Sequence, residues 1–152
     1  MKLFTKNKEA APVIVVIVGC NKAGIALSEV LSAKGFKVTV VDKSPHALEN
    51  FSSVYGENIL LGDATDSSIM DQADFQAAKA IFVVTSSDNT NIFITQIIRQ
   101  KLKSGPKVMS RLNDLARKAA YAAFDIETIS VEDMFANEIG HNMTAWIAGE
   151  QP

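Results

Sequence analysis

Gly19 and Gly24 bracket the run Gly19-Cys20-Asn21-Lys22-Ala23-Gly24, and Asp42 follows Gly19 by 23 residues. Glycines in this frame let a chain turn sharply out of a strand and open a helix, whose first backbone N–H groups then point at an anion. A carboxylate about 20 residues further on, at the end of a second strand, accepts hydrogen bonds from ribose hydroxyls. The combination describes dinucleotide chemistry. Gly19 would make the turn and Gly24 would let helix and sheet pack closely, while Asn21 stands where the fingerprint has its middle glycine. A pyrophosphate approaches the backbone at that middle position, and asparagine brings a side chain to it. Asp42 favours NAD over NADP because a carboxylate repels a 2′-phosphate; taken alone, it also reads as an exposed aspartate in a strand–helix turn. Lys22 and Lys43 are placed either to meet phosphate as point charges or to remain solvated.

The elements that must position these residues follow from periodicity and punctuation. Val13–Val18 is a β-branched run ending at Gly19, after which Ile25, Leu27, Val30 and Leu31 recur with helical spacing. Gly35 closes that helix, Lys37–Val41 forms a second strand, and Ser44-Pro45 starts the next helix with a cap and a first-turn proline. Asn58–Leu61 reads as strand three. Thr65 or Asp66 caps a helix carrying Ile69 and Met70, and Ala80–Val84 is strand four. A helix over about 89–103 is followed by Gly105-Pro106, strand Lys107–Ser110, a helix over about 114–124 and strand Glu127–Ile129. Six strands alternating with helices imply right-handed crossovers and a parallel sheet, and a chain this short falls well below the roughly 250 residues of an eight-stranded barrel. The expected fold class is therefore α/β, a Rossmann-like doubly wound six-stranded parallel sheet in the order 3-2-1-4-5-6. Residues 1–12 form an N-terminal tail, 13–130 the sheet domain, and 131–152 a C-terminal crossover helix and tail.

Composition narrows the partners. The 152 residues are 47% hydrophobic and 21% charged, enough apolar material for a folded core. Fifteen Lys plus Arg against 17 Asp plus Glu give a net charge of −2, with no positive field for a nucleic-acid backbone. One cysteine and two histidines supply neither an internal disulfide nor a recognisable zinc spacing. Ile17-Val18-Gly19-Cys20 also resembles a lipoprotein lipobox, but Glu9 breaks the basic region and Pro12 enters the apolar stretch. That stretch falls short of the roughly 18–20 residues that span a bilayer, so no direct membrane insertion is expected.

Further motifs carry a resemblance. Val16-Ile17-Val18-Gly19 with Gly24, Val40-Val41-Asp42, Leu60-Leu61-Gly62-Asp63-Ala64-Thr65-Asp66, the run from Val83 to Asn91 (VVTSSDNTN) and Arg111-Leu112-Asn113-Asp114 fall at successive strand ends. This set resembles the N-terminal half of RCK domains, also called KTN or TrkA-N domains, regulators of potassium channels and potassium uptake systems. The resemblance spans about Val13 to Gly140, and the 62–66 run is its most specific element. It implies that Asp63 and Ala64 border an adenine, that Thr85 approaches the nucleotide, and that Thr90-Asn91 begins the next helix as in the family. Arg111 would reach phosphate or a neighbouring subunit. Members commonly have glycine and arginine where this chain has Asn21 and Lys22, and often acidic residues in place of Ser86 and Ser87.

The implied cofactor is NAD or NADH, with ATP, ADP or AMP as alternatives. The implied assembly is a homodimer, or a higher ring, through the helix over 131–148, with Met134, Phe135, Met143 and Trp146 as contacts; packing on its own sheet is the other reading. The sequence carries no pore and no second, smaller half of the RCK type. A membrane channel or transporter subunit is therefore the expected partner, with this chain cytoplasmic and peripheral to the inner membrane through it, unless the chain is a fragment of a longer one.

No catalytic constellation accompanies the cofactor motifs. Tyr-x-x-x-Lys fails at both tyrosines, where Ile59 follows Tyr55 and Asp125 follows Tyr121. No acidic pair of the receiver type follows strand one, and no Walker loop is present. Cys20 at a helix N-terminus could be a stabilised thiolate or simply a small residue filling a turn. His46 reads as a first-turn surface residue and His141 as part of the last helix. The expected function is a non-enzymatic, nucleotide-binding gating subunit or domain. Its alternatives are a small NAD-dependent oxidoreductase subunit and a degenerate, non-binding assembly domain.

Overall fold

A computed structural model describes residues 11–47, 49 and 59–149. Six parallel strands, β1 (Ile14–Val18), β2 (Lys37–Asp42), β3 (Ile59–Leu61), β4 (Ala80–Val83), β5 (Lys107–Arg111) and β6 (Glu127–Ile129), form one sheet in the order β3-β2-β1-β4-β5-β6. The α-helices that lie wholly within the described residues are α1 (Lys22–Ala33), α2 (Ser67–Gln72), α3 (Asp88–Lys101), α4 (Lys118–Ala122) and α5 (Val131–Ile147). The doubly wound architecture is the one expected. Asn58, expected to open strand three, lies outside the described residues, as do 1–10 of the tail, 150–152, and most of the helix begun at Pro45.

The β-branched run of β1 is buried because it is the central strand, paired with β2 on one side and β4 on the other. Its side chains alternate between two cores. Val16 and Val18 join Val41, Phe75, Ile81, Val83, Ile94 and Ile98 under α3, whereas Ile17 joins Val38, Val40 and Val84 with Ile25, Leu27 and Leu31 of α1. A lipobox cleavage before Cys20 would excise this strand, and Cys20 itself is buried. Its thiol donates to the Ala47 carbonyl at 3.2 Å, and burial, with the Asp42 carboxylate beside it, pushes its pKa up. The turn-filling reading of Cys20 fits these contacts, since a raised pKa removes the thiolate that redox chemistry needs.

Local chemistry sets the helix ends. Asn21 caps α1, Asp66 caps α2, Ser87 caps α3 and Ser130 caps α5, each accepting from a backbone N–H of the first turn. The Ser87 cap starts α3 at Asp88, one residue before the expected start. The single helix expected over 114–124 is instead a short 3-10 turn, Leu115–Arg117, followed by α4. Asp114 accepts from Ala116 N at 3.0 Å, which tightens the first turn, and Asp125 adopts a φ of 54° to reverse the chain into β6.

Candidate nucleotide-binding site

Strands β1 and β4 are neighbours, yet their following helices, α1 and α3, cover opposite faces of the sheet. The strand order reverses here, and a crevice opens beyond the carboxyl ends, where ligands of doubly wound folds bind. It encloses about 640 Å³. Its floor is Val18, Val41 and Ala64, one side is the 19–21 loop with Asp42 to Ser44, and the other is the loop from Thr85 to Ser87 with the first turns of α3.

The glycine loop is fixed by contacts that leave no room for larger residues. Gly19 has a φ of 116°, and a Cβ on it would lie 3.0 Å from Thr85 N. A Cβ on Gly24 would collide with the carbonyl oxygen of Gly19, so the close approach of α1 to β1 requires glycine there. Asp42 ties the loop to β2: one carboxylate oxygen accepts from Cys20 N at 2.7 Å, the other from Ser44 N at 2.8 Å. Its side chain is half-buried and lines the crevice.

Asn21 does not adopt a left-handed conformation. It sits in extended backbone, φ −102° and ψ −178°, with its Oδ1 accepting from Ala23 N at 3.0 Å and Gly24 N at 3.1 Å. Its Nδ2 donates to Val84 O at 2.6 Å, joining the glycine loop to the end of β4.

On the β3 side, Asp63 accepts from Thr65 N at 2.9 Å and from Thr65 Oγ1 at 2.7 Å. These bonds, backbone first, hold its carboxyl below the usual carboxylate range against the opposing effect of burial, with Lys43 adding attraction. Lys101 of α3 donates to Thr65 O at 2.7 Å and Ser67 Oγ at 2.8 Å, anchoring the loop from behind.

On the α3 side, Asn91 is fully buried and acts as a clasp. Its Oδ1 accepts from Thr85 N and Thr85 Oγ1, and its Nδ2 donates to the carbonyls of Thr85 and Arg111, both at 3.1 Å. Asp88 makes a second clasp: Oδ1 accepts from Asn113 N and Nδ2, both at 2.7 Å, and Oδ2 accepts from Asp114 N at 2.9 Å. Burial pulls the Asp88 pKa up, but these hydrogen bonds and nearby Arg117 outweigh it and leave the net shift downward.

Of the residues singled out in the sequence, Gly19, Asn21, Asp42, Lys43, Asp63, Ala64 and Thr85 line the crevice together. Lys22, Ala23, Gly24, Asn91 and Arg111 lie outside its lining. Gly24 and Asn91 shape it from behind, and Arg111 ends β5 with a buried Nε that has no hydrogen-bond partner among the described residues. Sequence reasoning missed Phe93, which stands at the rim, 58% exposed. The signal was present: Thr90, Phe93 and Ile94 occupy i, i+3 and i+4 positions from the first turn of α3, one face of the helix.

Residues 15–131 match the family model of the TrkA-N domain. The chain belongs to the TrkA-N domain family. It is 28% identical over 125 residues to a Trk system potassium uptake protein TrkA of Streptomyces coelicolor, covering 82% of this chain and 56% of the relative. It is 26% identical over 132 residues to a TrkA homolog of Pyrococcus horikoshii, covering 82% and 57%. This TrkA-N domain thus spans little more than half the length of those relatives. Among solved structures, the NAD(P)-binding domain of an exopolyphosphatase-related protein from Archaeoglobus fulgidus superposes with a TM-score of 0.73 at 24% identity, covering 86% of this chain and 96% of that one. GsuK bound to ADP gives 0.67 at 25% identity, covering 86% and 33%. The Kef C-terminal domain of Shewanella denitrificans in its AMP-bound form gives 0.69 at 18%, covering 88% and 81%. Among the described residues, no helix is long and apolar enough to cross a membrane, and no group of three His, Cys, Asp or Glu is placed to hold a metal ion.

Proposed function

We propose that this TrkA-N domain is a nucleotide-sensing regulatory module of a potassium channel or uptake system. The observation that carries this reading is the crevice at the β1/β4 reversal, where Asp42, Asp63, Ala64 and Thr85 converge on one cavity. Asp42 holds both oxygens at the lip in fixed directions, which suits a pair of ribose hydroxyls. Phe93, with the buried Ile94 and Ala64 in the same lining, offers apolar surface for a base in the crevice that Asp63 also lines. The matched relatives are potassium uptake proteins, and proteins of the same fold have been solved with ADP and AMP.

In this reading a bound nucleotide joins the glycine loop to the loop between β4 and α3, favouring one arrangement of paired domains, which a membrane partner senses as a population shift. The domain works in the cytoplasm against that partner, as a dimer or ring built through α5, and performs no chemistry on its ligand. Among the described residues, the small-oxidoreductase alternative finds no hydride-transfer acid in the crevice, where the ionisable side chains are Asp42, Asp63, Lys43 and the Cys20 thiol.

Thermal unfolding with separate millimolar additions of NAD, NADH, ATP, ADP and AMP tests the proposal. A ligand present at 100 times its dissociation constant adds about 2.7 kcal/mol. At least one nucleotide should raise the midpoint, and Asp42→Ala should abolish that rise whatever its own stability. No rise with any of the five would remove nucleotide sensing and leave assembly as the domain's role.

A further inference from the structure

We infer that Asn21 closes the pyrophosphate seat, so that this crevice takes a nucleoside or nucleoside monophosphate in preference to a dinucleotide. The inference rests on the nucleotide reading above and specifies its ligand class. In the glycine fingerprint, the pyrophosphate uses the free N–H groups at the start of the first helix, and the middle glycine leaves space for it. Here Asn21 Oδ1 takes the Ala23 and Gly24 N–H groups, at 3.0 and 3.1 Å. An amide oxygen of the chain itself stands where a phosphate oxygen would be received.

The side chain is not free to yield. Its Nδ2 donates to Val84 O at 2.6 Å, which fixes the amide's orientation and leaves Oδ1 facing the helix. Swinging it aside would break three hydrogen bonds and uncap α1. The neighbouring Cys20 N–H is also taken, by Asp42 Oδ2 at 2.7 Å.

Charge points the same way. Among the described residues, the crevice is lined by one cation, Lys43, and two carboxylates, Asp42 and Asp63, the second with its pKa lowered. Lys22, next to Asn21, lies outside the lining. Two phosphates buried between the loops would therefore meet a net negative wall. What the crevice does offer is neutral: the Ser86 and Thr90 hydroxyls, since Thr85 Oγ1 is held by Asn91, Ser87 Oγ caps α3 and Asn89 Oδ1 accepts from Arg117 at 2.7 Å. Those groups suit a sugar, a base edge and at most one phosphate open to water.

Isothermal titration of the full chain and of Asn21→Gly with adenosine, AMP and NAD tests the assignment. Glycine is tolerated at a helix N-cap, so the variant should fold, as its unfolding transition will show. The wild type should bind AMP or adenosine at least tenfold tighter than NAD. Asn21→Gly should gain at least tenfold for NAD while its affinity for AMP changes less than threefold. Asn21→Ser, which keeps a capping oxygen on a shorter side chain, should fall between the two and serves if the glycine variant does not fold. Equal affinity of the wild type for NAD and AMP, or folded variants with no gain for NAD, would overturn the role of Asn21 while leaving nucleotide sensing intact. Binding of none of the three ligands by any of the proteins would overturn the assignment of Asn21, and nucleotide sensing falls with it where NADH, ATP and ADP also fail to raise the unfolding midpoint.

Discussion

The crevice and α5 are two surfaces of this domain, and they are built in opposite ways. Around the crevice, the backbone groups of three loops are satisfied from within by Asn21, Asp42, Asn91 and Asp88, so its shape is set by the single chain. Along α5, 17 residues, none is buried, and Val131, Met134, Phe135, Ile139, Met143, Trp146 and Ile147 are all exposed. Exposed apolar residues gathered along one helix of about 25 Å form an apolar face, the kind of feature that marks interaction sites. The first region uses its interactions on its own geometry; the second leaves its apolar side chains in solvent. Substitutions in the crevice frame should therefore act on stability, and substitutions on α5 on association.

The strongest way to break this contrast is Gly24→Ala. Its new Cβ would meet the Gly19 carbonyl, which is backbone and has nowhere to move while β1 stays paired on both sides. Overpacking of this kind costs about 1–3 kcal/mol and more where backbone must shift, so a loss of at least about 3 kcal/mol is expected. Urea unfolding should show a lower midpoint at an unchanged slope. A variant as stable as the wild type would mean that the loop is not held by the close approach of α1.

Asp88→Ala comes next. It leaves the N–H groups of Asn113 and Asp114 without their acceptor, at a cost of about 1–3 kcal/mol for each group left buried and unsatisfied. The effect should depend on pH with a definite sign. The Asp88 pKa is lower folded than unfolded, so its stabilisation is complete above the unfolded value of about 3.9 and disappears as pH falls through the folded value. Unfolding curves of wild type and variant should differ most near neutrality, begin to converge below about pH 4, and meet only once pH has fallen through the lower folded value, where the carboxylate holds its proton in both states. A constant gap down to acid pH would assign the loss to packing instead of charge.

Much of this was legible in the sequence, for identifiable reasons. Val13–Val18 and Gly19 declared a central strand and its turn because burial on both faces demands an unbroken apolar run and the turn demands a positive φ. Asp42 was readable because its place follows from strand length and a crossover helix. The role of Asn21 was not. Its position in the fingerprint was plain, but that its amide bridges the α1 N-terminus and Val84, 63 residues away, depends on a contact between β1 and β4 that no local pattern encodes. Asn91 is similar: a helix-start asparagine looks available to a ligand, and only the pairing of β4 with β5 places the Arg111 carbonyl where it takes the Asn91 amide. The break of the helix expected over 114–124 was hidden because the Asp114 turn and the left-handed Asp125 each override ordinary helix propensity within one or two residues.

The smallest effect on the fold, and the sharpest on the contrast, should come from Phe135→Glu combined with Trp146→Glu. Both side chains are more than half exposed, at 67% and 52%, so the isolated chain loses little packing and its intrinsic stability should move by no more than about 0.5 kcal/mol. Two carboxylates placed in an apolar face would, however, oppose its burial against a second copy, where no cation of the same face could pair with them. Light scattering should give a dimer or larger assembly for the wild type and a monomer for both the double variant and a chain ending at Ser130. Linkage adds a second readout: association stabilises the folded state by mass action, so the wild-type midpoint should rise with protein concentration and that of the variant should not. A monomeric wild type with a concentration-independent midpoint would leave the face of α5 without a second copy to cover it, and the assembly half of the contrast would fall while the crevice half stood.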